Sequence, residues 1–308
     1  MRYQYITMKR GKSALPCRIC SFCLKKALAL ALLALTLSLT SIMTHAAHST
    51  ATAQEVTEQA PQQPLRIVSL APHLTEWAFS LGLGDNLVGV SDYSDYPEQA
   101  KTIQRVADFQ GADIARIVAL KPDLILAWDG GNKPQDIHKL SSMGLKVFKS
   151  KVENIADIAS EIKKLGAITN SQKKASTLAD NFIQKLTALN HEYAKTTLTP
   201  VFYYSWTTPL MTVGPDAWAN KLLHVCGAQT LFYDSPVDYP QVALKDVLTR
   251  QPQALVAASR SARADLEGFW ADHRSFLNAP LIVVNPDITS RFSLRLINEL
   301  KLLCEGIN

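Results

Sequence analysis

Along the chain, short continuous apolar runs alternate with stretches whose apolar residues recur every three or four positions. Residues 65–70 predict a buried strand, Pro72 breaks it, and residues 75–81 have helical spacing closed by Gly82 and Gly84. Residues 87–90 predict a second strand, 114–120 a helix ended by Pro122, and 124–128 a buried strand. A helix over 137–143, capped by Gly144, and a strand over 145–148 follow. Such alternation predicts a parallel sheet flanked by helices. Over 171–195 the pattern becomes one long helix, with Leu178, Phe182, Leu186, Leu189 and Tyr193 at steps of three and four and no Gly or Pro between them. At 1.5 Å per residue it spans roughly 37 Å, enough to cross between two domains. The alternation then resumes with a strand over 200–206, a helix over 217–225 ending at Gly227, a helix over 242–248, and, after Pro252, a strand over 254–258.

The halves on either side of the long helix match twice. Ile114-Ala-Arg-Ile-Val-Ala-Leu-Lys-Pro122-Asp-Leu-Ile-Leu and Leu244-Lys-Asp-Val-Leu-Thr-Arg-Gln-Pro252-Gln-Ala-Leu-Val read alike as a helix, Pro, strand unit. Gly84 precedes Pro97 of Asp95-Tyr96-Pro97 by 13 residues, and Gly227 precedes Pro240 of Asp238-Tyr239-Pro240 by 13. Two matches in the same order predict two related α/β lobes with parallel sheets, over 64–170 and 197–308, joined by a rigid helix over 171–196. A cleft between lobes is where a ligand tends to bind.

Charge and the N-terminus refine this picture. The 308 residues are 47% hydrophobic and 19% charged with a net charge of +5, a globular composition able to bury a core in each lobe. Residues 1–53 hold seven basic side chains and no acid, leaving 25 basic against 27 acidic residues beyond them. A near-neutral remainder argues against nucleic acid as a partner, since phosphate binding needs a clustered basic surface. Lys25 and Lys26 precede an apolar run over 27–43, and Ala46, Ala47, Ala51 and Ala53 follow it. This is the pattern of an export signal, with cleavage after Ala47 or Ala53 preferred over an uncleaved anchor. Residues 1–53 are therefore read as signal peptide and spacer, and the chain as periplasmic. Cys17, Cys20 and Cys23 fall within that leader and take no role, although their spacing would suggest metal in a folded domain. Cys226 and Cys304 remain. In an exported chain such a pair is most simply a disulfide, closing a loop that contributes roughly 4 kcal/mol on the chain-entropy model; the alternative is two buried free thiols.

Candidate chemistry is sparse. The sequence has no P-loop, G-x-S-x-G elbow or H-E-x-x-H, and Gly82-Leu83-Gly84 lacks the third glycine of a dinucleotide turn. His73, His138, His191, His224 and His273 are scattered rather than paired, so no metal site and no catalytic cofactor are expected. Tyr93, Tyr96, Phe109, Trp128, Trp206 and Tyr239 fall at or just beyond predicted strand ends, the edge of an α/β sheet where ligand crevices lie. Each alone reads as core or chance surface; as a set they suggest stacking faces for a large, partly flat ligand.

Four segments carry a family resemblance. Arg66-Ile-Val-Ser-Leu-Ala-Pro-His-Leu-Thr-Glu76, Val88-Gly-Val-Ser-Asp-Tyr-Ser-Asp-Tyr-Pro97, Arg116-Ile-Val-Ala-Leu-Lys-Pro-Asp-Leu-Ile-Leu-Ala-Trp128-Asp-Gly-Gly-Asn132 and the Cys226, Cys304 pair resemble the periplasmic vitamin B12-binding proteins of ABC importers, a branch of the helical-backbone solute-binding proteins. The resemblance runs from about Leu65 to Glu305. It implies a monomeric receptor, not an enzyme, that holds cobalamin or a related corrinoid between its lobes and hands it to an inner-membrane permease with its ATPase. Carried over by position, Tyr93 and Trp128 match ligand-contacting aromatics, and Phe109 and Tyr239 stand where relatives have tryptophan. Met211 replaces an aromatic, while Asp287 and Arg291 match a polar pair on the second lobe, placed by the resemblance where they could bond amide side chains of the corrin. Ile288, Thr289 and Ser290 depart from the family pattern, as do Ala115 and Lys245, which occupy the acidic permease-docking positions; Asp113 and Asp246 are the neighbouring substitutes. Two alternatives remain: a haem or ferric-siderophore receptor of the same fold, and a secreted α/β hydrolase with Asp287 or His73 as base.

Overall fold

The computed structural model describes residues 64–308, so the signal peptide, its cleavage site and the three leader cysteines lie outside the described residues. The first sheet has the order β4-β3-β2-β1-β5-β6. Its strands are β1 (Ile67–Ser69), β2 (Leu87–Ser91), β3 (Arg105–Asp108), β4 (Gly111–Ala112), β5 (Leu124–Trp128) and β6 (Val147–Ser150). All its pairings are parallel except β3 with β4. The central strands are continuous apolar runs because helices cover both faces: Ile67 and Val68, and Leu124 to Ala127, are buried. Helices α1 (Pro72–Leu81), α2 (Ile114–Ala119), α3 (Pro134–Ser142) and α4 (Asp157–Ile168) supply that cover. Pro72 does more than end the strand. It is the first residue of α1, where its missing N–H costs nothing, and Gly82 closes the helix at φ 82°.

Helix α5 (Gln172–Glu192) follows, about 31 Å long at 1.5 Å per residue. It buries Phe182, Leu186 and Leu189 of the stripe its spacing predicts, with Leu178 and Tyr193 half-buried and Ala175 and Ala179 added, and packs closely on α4. A Cβ on Gly166 of α4 would come within 2.3 Å of the Ala175 methyl, so only glycine permits that approach.

The second sheet contains β7 (Thr199–Thr207), β8 (Leu210–Thr212), β9 (Ala228–Thr230), β10 (Ala254–Ala258) and β11 (Leu281–Val284). Its order is β11-β10-β7-β8, with β9 also on β7. Helices α6 (Trp218–Val225), α7 (Leu244–Arg250), α8 (Arg263–Trp270), α9 (Pro286–Thr289) and α10 (Leu296–Ile307) complete it. Two α/β lobes result. The repeat extends to the backbone: Lys121 before Pro122 and Gln251 before Pro252 both take positive φ, 47° and 52°, at the same helix-to-strand corner. One hydrophobic core runs through both lobes, from Trp77, Leu124 and Ile158 through Phe182 to Val201, Leu222 and Leu300. Cys226 and Cys304 form a disulfide that ties the end of α6 to α10, with Cα atoms 4.6 Å apart.

Candidate functional site

The parallel strands of each sheet end toward a common seam, and the loops beyond them carry the candidate side chains. After β2, the Ser-Asp-Tyr-Ser-Asp-Tyr-Pro loop is anchored by buried hydroxyls. Thr75 Oγ1 donates to Ser69 Oγ (2.9 Å) and lies 3.0 Å from Ser94 Oγ, which is 3.1 Å from Ser91 Oγ. Held by that cluster, Tyr93 adopts φ 60° and projects its ring with 67% of its surface exposed. Phe109, at the β3–β4 turn, is 87% exposed.

Trp128 ends β5 and is positioned by its own motif. Its amide donates to Asn132 Oδ1 (2.7 Å), whose Nδ2 donates to the Leu70 carbonyl (2.8 Å). The indole lies over Gly131, where a Cβ would sit 1.8 Å from a ring atom. This explains the Ala-Trp-x-Gly-Gly-Asn sequence: the asparagine closes the turn and the glycine leaves room for the ring.

On the second lobe, Trp206 is exposed and faces half-buried Met211 across the β7–β8 ladder. Met211 bridges to Gln241, which places the 61% exposed Tyr239 at the same rim. Arg260, just beyond β10, grips Asp287 of α9 through Nε (2.8 Å) and Nη2.

Between the lobes lies a charged and aromatic seam that sequence reasoning does not reach. Arg291 donates to Asp287 (3.3 Å) within its own lobe, but across the seam to Glu76 (3.2 Å) and Asp95 (2.7 Å). Its guanidinium is thus a lobe-to-lobe tie, and the polar pair expected to meet a ligand is met by Glu76 and Asp95 as well. Arg295 clasps Glu76 through Nε (2.8 Å) and Nη2 (2.6 Å) and lies 3.7 Å over the Tyr96 ring. Beside these ions, Phe292 sits edge-on to His73, Trp128 and Trp218. The Trp77 indole N–H donates to the Phe292 carbonyl (2.7 Å). None of the cross-lobe partners is signalled locally, because each of those contacts joins residues more than a hundred positions apart; the hint the sequence offers is the density of Arg near the C-terminus.

Burial, and then the positive charge of Arg291, hold the His73 imidazole down from 6.5 to about 3. Lying inside the seam, it presents no base to a substrate. Its folded pKa is below its unfolded one, so the unfolded chain takes up the extra proton. Its contribution to stability is complete above about pH 6.5 and is lost as pH falls toward 3. Asp95 acts in the same direction: burial pushes its carboxyl up, but the hydrogen bond and charge of Arg291 outweigh that and hold it below the usual range. Denaturant unfolding should therefore give a lower midpoint at about pH 4.5 than at about pH 7, and His73→Gln should reduce that difference. Equal midpoints at the two pH values would contradict the buried neutral imidazole.

The remaining candidates lie at helix starts. Asp113 caps α2, accepting the Arg116 amide (3.0 Å), and Asp246 is exposed in the first turn of α7. Ala115 and Lys245 are exposed beside them. The Leu120 carbonyl at the end of α2 meets the Arg66 side chain at the start of β1 (2.9 Å), and the Gln253 amide beyond α7 meets Pro200 at the start of β7 (2.8 Å). Both helix starts therefore lie at the strand ends that form the seam.

Comparison with known proteins places this geometry in context. The profile of the family described as periplasmic binding protein matches residues 67–274. A vitamin B12-binding protein of Photorhabdus laumondii is 37% identical over 246 residues, covering 80% of this chain and 88% of that one. The crystal structure of the periplasmic vitamin B12 binding protein BtuF of Vibrio cholerae aligns with a TM-score of 0.71 and 36% identity, over 79% of this chain and 96% of that one. A periplasmic heme-binding protein of Roseiflexus shares the fold, with a TM-score of 0.68 at 18% identity over 79% of this chain and 97% of that one.

Proposed function

From the premise that this chain belongs to the periplasmic binding protein family, we propose that it is a solute receptor that captures vitamin B12 or a closely related corrinoid and delivers it to an ABC permease. The family is one of substrate-binding proteins rather than enzymes, and its location is the periplasm. Cleavage of the leader after Ala47 or Ala53 and the division into lobes over 64–170 and 197–308 around a helix over 171–196 belong to the same reading.

One observation carries it. Tyr93, Phe109, Trp206 and Tyr239 stand exposed along the strand-end rims of both sheets, whereas Trp77, Phe202, Tyr204 and Trp270 are buried. Exposed rings cost free energy in water, and two facing rims of them suit the broad, partly apolar faces of a corrin. Trp128 and Met211 supply the half-buried floor, with the part-exposed Asp287 and the exposed Arg260 that grips it available to corrin amides, whereas Arg291 is buried in the lobe-to-lobe tie. Asp113 and Asp246, at matching helix starts on the two lobes, are the groups we assign to permease docking. The likeness to relatives that bind vitamin B12 favours a corrinoid over haem, since the heme-binding neighbour is similar in fold alone.

Co-elution of cyanocobalamin absorbance with the leader-free protein on a sizing column tests the reading; a corrinoid that elutes entirely free would overturn it. Trp128→Ala should weaken that binding by about 1–3 kcal/mol, roughly 5- to 150-fold in dissociation constant, through lost stacking area. An unchanged constant by titration would remove Trp128 from the site.

A further inference from the structure

Resting on the receptor reading above, we propose that Glu76 is a positioning residue for the cleft: without touching ligand, it holds the two lobes at their binding separation through Arg291 and Arg295. Glu76 lies on α1, its side chain only 4% exposed, and all three of its ionic hydrogen bonds cross to the other lobe. One carboxylate thus meets two guanidinium groups. The second positive charge is balanced by Asp95 and Asp287, both on Arg291, so acids and cations interleave across the seam.

A buried ion pair is weak evidence for stability, because the desolvation of its charges offsets their attraction. Its geometry is the more informative property. The edge-on aromatic contacts around Phe292 carry a broad preference of angle, whereas the Arg295 fork meets Glu76 through two donors, Nε at 2.8 Å and Nη2 at 2.6 Å, and so fixes orientation as well as distance. The same guanidinium lies over Tyr96, three residues beyond Tyr93, and Arg291 holds Asp95 between them. The position of Glu76 is therefore transmitted to the aromatic rim. When only part of a population has the binding geometry, apparent affinity falls by that fraction. In kinetic terms the association rate falls while the dissociation rate, set by contacts in the complex, stays unchanged. A residue that touches the ligand produces the opposite split.

Glu76→Gln keeps the side-chain shape but replaces an acceptor oxygen with a donor facing guanidinium donors. Stopped-flow mixing with cyanocobalamin, well below the unfolding temperature, should show association slowed about ten-fold and dissociation within about two-fold of the parent, as expected when the competent fraction falls to a tenth. Spin labels on cysteines introduced at exposed Lys139 and Asp272, one on each lobe, should report a broader inter-lobe distance distribution in the variant. Arg295→Lys, which keeps the charge and loses the fork, should shift both readouts the same way and serves if Glu76→Gln does not fold. Unchanged association and distances, or a change confined to dissociation, would overturn the proposal. If the parent protein binds no corrinoid, the receptor reading falls, and the distance distributions alone still decide the role of Glu76.

Discussion

Phe292→Ala is expected to destabilise the protein by about 3–5 kcal/mol, the usual cost of deleting a buried phenyl ring. Phe292 is 9% exposed, and its ring lies 4.6 Å from Trp218, 5.2 Å from His73 and 5.5 Å from Trp128, centroid to centroid. It is supplied by the second lobe and received by His73 and Trp128 of the first, so its removal opens a cavity where the two lobes share one core. The surroundings are poorly able to collapse into that space, because the Trp77 indole is pinned to the Phe292 carbonyl and Trp128 is pinned over Gly131. Guanidinium unfolding should show the lower midpoint with a single transition, and Phe292→Leu should recover much of the loss. A cost under about 1 kcal/mol, the range of a surface substitution, would mean that the seam is not packed as one core.

The second large effect concerns the disulfide. Replacing both Cys226 and Cys304 by Ala should cost about 4 kcal/mol on the chain-entropy model, since the 78-residue separation makes the closed loop long. Both residues are fully buried, so the alanines also leave unfilled volume. The bond fastens α10, the last helix, to the end of α6, and α10 directly follows the segment that carries Arg291 and Arg295. Unfolding with and without reductant should reproduce the difference, and the intact mass should rise by about two daltons on reduction. A midpoint indifferent to reductant would contradict this role.

The parts of the fold that are legible from sequence are those whose signal is local. β1 and β5 are continuous apolar runs because their faces are covered, α5 keeps its stripe for 21 residues, and the Pro122 and Pro252 corners repeat. Helix α4 carries a comparable signal in Ile158, Ile162 and Leu165 but is not among the elements the pattern assigns, and α10 carries one in Leu296, Leu300 and Leu303. Short edge strands such as β4 and β8, two and three residues long, are too brief for any periodicity. In the candidate site, exposed aromatics at strand ends are legible because strand ends are. The ties of Arg291 and Arg295 to Glu76 are not, because they link positions 215 and 219 residues apart and only folding brings them together. The family resemblance supplied Asp287 and Arg291 as a polar pair; the acids opposite them come from the structure.

Departures from the family pattern fall at half-buried Met211 and Ile288, at buried Thr289, whose carbonyl accepts the Trp218 indole N–H, and at exposed Ser290 just beyond α9. In the proposed site Met211, where the resemblance implies a ring, offers an apolar, polarizable surface, so the change is one of contact area more than polarity. Ala115 and Lys245 are exposed at helix starts, so on the proposed docking role of Asp113 and Asp246 they alter the charge beside those two groups.

Calorimetric titration of the leader-free protein with cyanocobalamin, with haem and one ferric siderophore run as controls, tests the central claim most directly. The account predicts saturable one-to-one binding of the corrinoid alone. Heat with haem or the siderophore and none with cyanocobalamin would contradict it, and would mean that the same two-lobe cleft serves a different ligand.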